Sequence, residues 1–232
     1  MRQLRTPILL AILAVTAALV YAPALDGPLL SDDHSYFTHN PYLSPLSRAN
    51  LVALVDPFGP VAQLTANWAP VHVLAHAVGF HFFGPVTRGH HVVNVLVHLL
   101  NTGLLLALLR QNRVPWVLAA AGAALFLVHP ANVEAVAWIS QLKSSLATAL
   151  GLAALLAHPR IPLLGAALFV LALLTKPTAL AFLAFLVVWC LQEARAGRPA
   201  QWGWLGAWAL LRRRDRRDAA TEPPSAISKA PR

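Results

Sequence analysis

Charge is scarce in this sequence. Only 12% of its 232 residues are Asp, Glu, Lys or Arg, against roughly 25% in a soluble domain. Hydrophobic residues make up 57% and mean hydropathy is +0.59. This excludes a conventional soluble core and points to an all-α integral membrane protein with several spans. Cysteine is almost absent: Cys190 stands alone in an apolar run, so no internal disulfide can form. No repeat at solenoid spacing occurs either. The formal charge of +9 does not imply nucleic acid, because residues 212–232 alone hold seven basic and three acidic residues. That Pro-containing, aperiodic stretch reads as a disordered tail. Beside a membrane, such a cluster marks a cytoplasmic end touching anionic lipid.

Apolar runs predict six transmembrane helices, at about 7–25, 90–109, 114–129, 142–157, 161–174 and 178–193. The first follows "MRQLR" and runs about 19 residues, long for a signal-peptide core, and is read as a retained span. The fourth and fifth are separated by "HPR" and predict a tight hairpin. "WGWLGAWALL" at 202–211 is too short to cross, and its three tryptophans suit the headgroup layer. The expected organisation is a transmembrane domain at 1–195, an interfacial helix within 196–211 and the basic tail at 212–232.

With both termini in the cytoplasm, Arg2, Arg5, Arg110, Arg113, Arg160, Arg195, Arg198 and the tail all fall inside, as the positive-inside rule requires. Residues 26–89, 130–141 and 175–177 then fall outside. The expected location is the inner (plasma) membrane. The long first outer loop contains the helical pattern "LSRANLVALV", the turn "DPFGP" and an interfacial stretch "NWAPVHVLAHAVGFHFFG". Arg48, Arg88, Lys143 and Lys176 stand on or near the outer side, against the bias. Snorkelling or ion pairing would account for them, as would a shared anionic ligand such as a lipid phosphate.

Acidic residues number only nine, and two of them, Asp32 and Asp33, are adjacent in "SDDHSYF". Adjacent carboxylates favour one protonated and one ionised partner, which suits a general base. The same pair suits a divalent cation or the N-cap of a short helix. His91, Asn94, His98 and Asn101 fall at i, i+3, i+7 and i+10, a polar stripe along the second span. Interhelical hydrogen bonding is its ordinary use; metal or haem ligation is the alternative. His72 and His76 share another helix face. Glu134, the only acid between Asp56 and Glu193, needs a partner at the membrane edge, with His129 and Lys143 in reach, or faces a ligand. Lys176-Pro177 breaks two apolar helices with a turn. All these groups project to one side, where they would line an outward-facing cavity suited to a lipid-tailed phosphate.

Four blocks in this order resemble a known family. They are "SDDHSYFTHNPYL" (31–43), "NWAPVHVLAHAVGFHFFGPVTRGHHVVNVLVHLLNTGLLLALLR" (67–110), "LFLVHPANVEAVAWISQLKSSLATAL" (125–150) and "LALLTKPTAL" (171–180). The pattern is similar to the GT-C superfamily of polyprenyl-phosphate-sugar-dependent glycosyltransferases, nearest the O-mannosyltransferase-like membrane domain of tetratricopeptide-repeat (TMTC-type) proteins. The resemblance implies a partial GT-C module with a long outer first loop. It implies transfer of a sugar, often mannose, from a polyprenyl-phosphate carrier to a hydroxyl of an acceptor protein. Carried over, Asp32 or Asp33 is the catalytic base, and Arg88, His90, His129, Glu134, Lys143 and Lys176 contact substrate or its phosphate. No resident metal is implied, although the carboxylates leave room for a divalent cation. Two positions depart from the family: "WAPV" places Trp68 and Ala69 where relatives carry Tyr and Arg, and Ser144 or Ser145 replaces an acid after Lys143. Because relatives continue with further spans, a second membrane subunit is an expected partner. A non-catalytic GT-C-derived subunit that binds a lipid carrier or partner protein is the alternative reading.

Overall fold

The computed structural model describes residues 2–195, with side chains for residues 6–192, 194 and 195. The interfacial helix expected within 196–211 and the tail at 212–232 lie outside the described residues. Two compact units are distinguished, Met1–Leu186 and Val187–Arg232. The second is described only over 187–195, within the last helix.

All regular structure among the described residues is helical. Helix α1 (Arg2–Tyr21) exposes aliphatic side chains on most of its circumference and buries one stripe, Leu13, Ala17 and Tyr21, at i, i+4 and i+8. An outward apolar surface of that extent is suited to lipid rather than water. The long first loop that follows is itself folded. It contains a π-helical turn at His34–Thr38, then α2 (Arg48–Val55), α3 (Pro60–Leu64) and α4 (Pro70–Phe83). Ser47 caps α2 by accepting from the Asn50 N–H at 3.2 Å. Tyr36, Leu43, Leu54, Val61, Val73 and Ala77 form the small core that joins these pieces.

Helix α5 (Thr87–Gln111) is the central strut, in contact with α1, α4, α6 and α8. Its 25 residues reach about 37 Å, more than the roughly 30 Å of a bilayer core. The polar stripe is spent on other backbones. His91 meets the Gly27 carbonyl at 3.3 Å, and Asn94 donates to the Trp138 carbonyl at 2.8 Å. His98 meets the Leu127 carbonyl at 3.1 Å, and Asn101 donates to Ser145 at 2.8 Å. In an apolar surrounding each such bond gives a buried polar side chain a partner on a neighbouring segment. The stripe therefore serves helix association, and these imidazoles and amides are taken up by backbone.

Helix α6 (Trp116–Val128) stops at His129-Pro130 and continues, bent by 50°, into a 3-10 turn and α7 (Val133–Ala137). Pro130 lacks an N–H and holds His129 extended, at φ −66° and ψ 128°. Asn132 compensates by donating to the Phe126 carbonyl at 2.7 Å. Helices α8 (Leu142–Ala157) and α9 (Pro162–Thr175) form the hairpin expected from "HPR". Ala147 and Ala172 let the two approach closely, and Gly165 sits so near α8 that a Cβ would stand 3.0 Å from His158 Cα. The last helix, α10 (Ala181–Arg195), follows a 3-10 turn at Pro177–Leu180.

Every expected span coincides with a helix, but not every helix has spanning length. Thr6–Asp26, Thr87–Gln111 and Ile139–Ala157 are long and apolar enough, and the bent pair Trp116–Val128 with Pro130–Ala137 makes a fourth. Helix α9 has 14 residues, about 21 Å, because Pro162 opens it and Lys176-Pro177 closes it. Among the described residues, three helices, or four with the bent pair, meet that length and composition, beside the six spans expected from apolar runs. The two ends of the bundle differ chemically. Arg160 donates to Gln111 at 2.8 Å, which joins the α8–α9 turn to the α5–α6 turn. Asp32, Trp138, Lys143 and Lys176 gather at the opposite end.

Candidate functional site: a two-lysine, one-carboxylate end of the bundle

The two adjacent aspartates have opposite fates. Ser31 has a positive φ of 36°, a costly conformation for a residue with a Cβ, and it turns the chain into the π-helical stretch. Asp33 points inward and is 1% exposed. Its Oδ2 accepts from the Leu30 N–H at 2.8 Å and its Oδ1 from the Ser140 N–H at 2.7 Å. It occupies an N-cap position without making a side-chain cap bond; its carboxylate instead fastens the first loop to the turn before α8. The Trp138 indole N–H reinforces that joint by donating to the Leu30 carbonyl at 3.2 Å.

Asp32 stays accessible, its side chain 47% exposed, and pairs with Lys143 Nζ at 3.5 Å. Lys143 is 13% exposed and lies 5.0 Å over the Tyr36 ring, so its charge is held between a carboxylate and an aromatic face. Tyr36 packs in turn on His72, with ring centroids 4.7 Å apart. His72 and His76 meet Nε2 to Nε2 at 2.8 Å and are fully buried. Burial pushes both imidazoles down, His76 to about 3, and each is further depressed by Lys143. This pair is therefore neutral at neutral pH and adds no positive charge beneath the site.

Lys176 enters from the C-terminal end of α9. It donates from Nζ to Ser144 Oγ at 2.7 Å. Ser144 donates to Gln141 Oε1 at 2.6 Å, and Gln141 donates to Glu134 Oε1 at 3.2 Å. Glu134 thus finds Gln141, where the sequence suggested His129 or Lys143. Burial lowers the Lys176 ammonium from its ordinary value, Lys143 adds to this, and Glu134 opposes both.

The remaining expected residues stand apart from this cluster. Arg88 pairs with Asp26 at 3.1 Å on the surface. His90 is buried, meets the Gly84 carbonyl at 3.1 Å and packs on Phe37. His129 is exposed and accepts the Ala131 N–H at 3.2 Å, capping the turn after α6. Among the described residues no group of three or more His, Cys, Asp or Glu is placed to hold a metal ion. Tyr36, Gln141 and Ser144 complete the cluster and have no local sequence signal, apart from Ser144 standing where the resemblance expects an acid.

A helical bundle with several helices apolar and long enough to cross a membrane defines an all-α membrane protein, with an accessible carboxylate and two lysines gathered at one end. A segment of the chain is 37% identical over 71 residues to the Protein O-mannosyl-transferase Tmtc1 of Drosophila melanogaster. That segment is 31% of this chain and 8% of that protein, so the match spans less than a tenth of the curated relative. No family model matches the chain, and no solved structure matches it. The membrane assignment and the partial likeness to a glycosyltransferase thus stand on independent grounds.

Proposed function

We propose that this protein is a membrane glycosyltransferase that moves a mannose-type sugar from a polyprenyl-phosphate carrier to a protein hydroxyl. The observation that carries the reading is the Asp32–Lys143 pair with Lys176 in the same cluster. An accessible carboxylate beside two cations supplies what the reaction needs at each end of the bond being exchanged. Asp32 takes the proton of an acceptor Ser or Thr as its oxygen attacks the anomeric carbon. The bond from that carbon to the phosphate oxygen breaks, and the carrier leaves with the electron pair. Lys143 and Lys176 balance the charge on the departing phosphate. A single displacement of this kind inverts the anomeric centre. Asp33 holds the loop that presents Asp32. The site lies on the outer face in this reading, with both termini cytoplasmic in the inner membrane.

The test is transfer of labelled mannose from a polyprenyl-phosphate donor to Ser/Thr peptides by the full chain in proteoliposomes, alone and with the products of neighbouring genes. Lys143→Met and Lys176→Met should each raise the KM for donor by about ten- to a hundredfold, the loss of one charge-assisted contact. An inactive wild type under all these conditions rejects the enzyme. The alternative, a non-catalytic subunit binding the carrier, is favoured by one feature: the resting Asp32 carboxylate is already paired. It predicts carrier binding without turnover.

A further inference from the structure

The hydrogen bonds from Lys176 to Glu134 can run in only one direction. An ammonium only donates, so Ser144 must receive it on oxygen and pass its own proton to an acceptor. That acceptor is the Gln141 carbonyl oxygen, at 2.6 Å, which turns the amide NH2 toward Glu134. The three bonds join α9 to α8, the turn before α8 and α7. Each neutral member is polarised in the same sense, positive end toward the carboxylate and negative end toward the ammonium.

We propose that Ser144 and Gln141 couple the Glu134 carboxylate to Lys176, so that these three are positioning residues which keep Lys176 charged and aimed into the site. Lys176 needs such support. It is half-buried, it shares the cluster with the Lys143 cation from α8, and His72 on α4, which senses its charge, is neutral and offers no compensation. Asp32 is paired with Lys143. Glu134 itself is exposed and has the length of two side chains between it and the ammonium, so it acts as a remote counter-charge. The relay concerns the protonation of Lys176 and stands whether or not sugar is transferred; its value in catalysis rests on the function proposed above.

The experiment is competitive labelling of the full chain with acetic anhydride across a pH series, read by mass spectrometry on the peptide that contains Lys176. Ser144→Ala removes the acceptor of the ammonium, and Glu134→Gln removes the distant charge with its shape kept. Both should shift the labelling midpoint to lower pH by half a unit to one unit. At a pH below the wild-type midpoint, labelling then rises about threefold to tenfold. Ser144→Thr, which keeps the oxygen, should restore the wild-type midpoint. If Ser144→Ala does not fold, Glu134→Gln, altered at an exposed position, decides the matter. An unchanged midpoint in Glu134→Gln overturns the relay, because the carboxylate is then not felt. A shifted midpoint in a wild-type background that transfers no sugar keeps the relay and removes the phosphate role from Lys176. Active transfer with unmoved midpoints does the reverse.

Discussion

Asp32 and Asp33 are chemically identical neighbours, and only their surroundings separate them. Asp33 accepts two backbone N–H groups 107 residues apart in the case of Ser140, inside the fold. Asp33→Asn would set a donor NH2 against one of those donors. It should lower stability by about 2–4 kcal/mol, the cost of breaking a buried charge-assisted pair of bonds, seen as a lower Tm in detergent. Asp32→Asn touches a half-exposed ion pair worth about 0–1 kcal/mol and should leave Tm nearly unchanged. A local reading of "SDDHSYF" cannot assign these roles. The partner that captures Asp33 lies on the far side of six helices in sequence, α2 to α7, and nothing near residue 33 announces it. The cation at Lys143 is legible in the sequence, because a positive charge on the side of a span where the positive-inside rule expects none asks for a reason.

At the scale of elements, spacing carried more. His91, Asn94, His98 and Asn101 read as one helix face, and all four meet carbonyls of neighbouring segments. Asn94 holds the Trp138 carbonyl at the turn that also carries Gln141. Asn94→Leu should therefore cost about 1–2 kcal/mol of stability and reduce transfer without touching any group in the charged cluster. Helix ends were less legible. Pro130 and Pro177 mark breaks, but whether a broken helix bends or ends depends on packing, and here the first bends by 50°. The folded first loop gives a pH prediction. His76 falls to about 3 in the fold, below the usual 6.5 of an unfolded chain. The unfolded state then binds the extra proton, so stability is full above about pH 6.5 and drains away as pH falls toward 3. At pH 5 this amounts to about 2 kcal/mol. Thermal melts should show a steep loss between pH 6.5 and 4, and His76→Phe, which cannot take up a proton, should make it shallower, leaving the share of the buried His72.

For the whole molecule, composition alone excluded a soluble core, and the helical bundle with lipid-suited surfaces agrees. Apolar runs give six spans, whereas three or four helices among the described residues have spanning length; hydropathy does not register that Pro162 and Lys176-Pro177 trim α9 to 14 residues. What alternates reliably is the bundle's ends: Arg110, Arg113 and Arg160 share one end, and the charged cluster holds the other. Single-cysteine reporters make this testable. In a Cys190→Ala background, a cysteine at exposed Ser31 should react with an impermeant maleimide from outside intact cells. One at Asn112, in the α5–α6 turn, should react only after permeabilisation. Equal labelling of both from outside would place the cluster and the arginine end on the same side and reject the topology.

Activation of the acceptor hydroxyl by Asp32 is the step on which the proposed reaction turns. Its most direct measurement compares wild type, Asp32→Asn and Asp33→Asn for sugar transfer from a polyprenyl-phosphate donor in proteoliposomes, each normalised to folded protein. Asp32→Asn should lose activity by at least about a hundredfold with its Tm intact. Asp33→Asn, by contrast, loses folded protein and keeps activity per folded molecule within a few-fold. Undiminished transfer by a folded Asp32→Asn protein, or a wild type that transfers nothing, would contradict it.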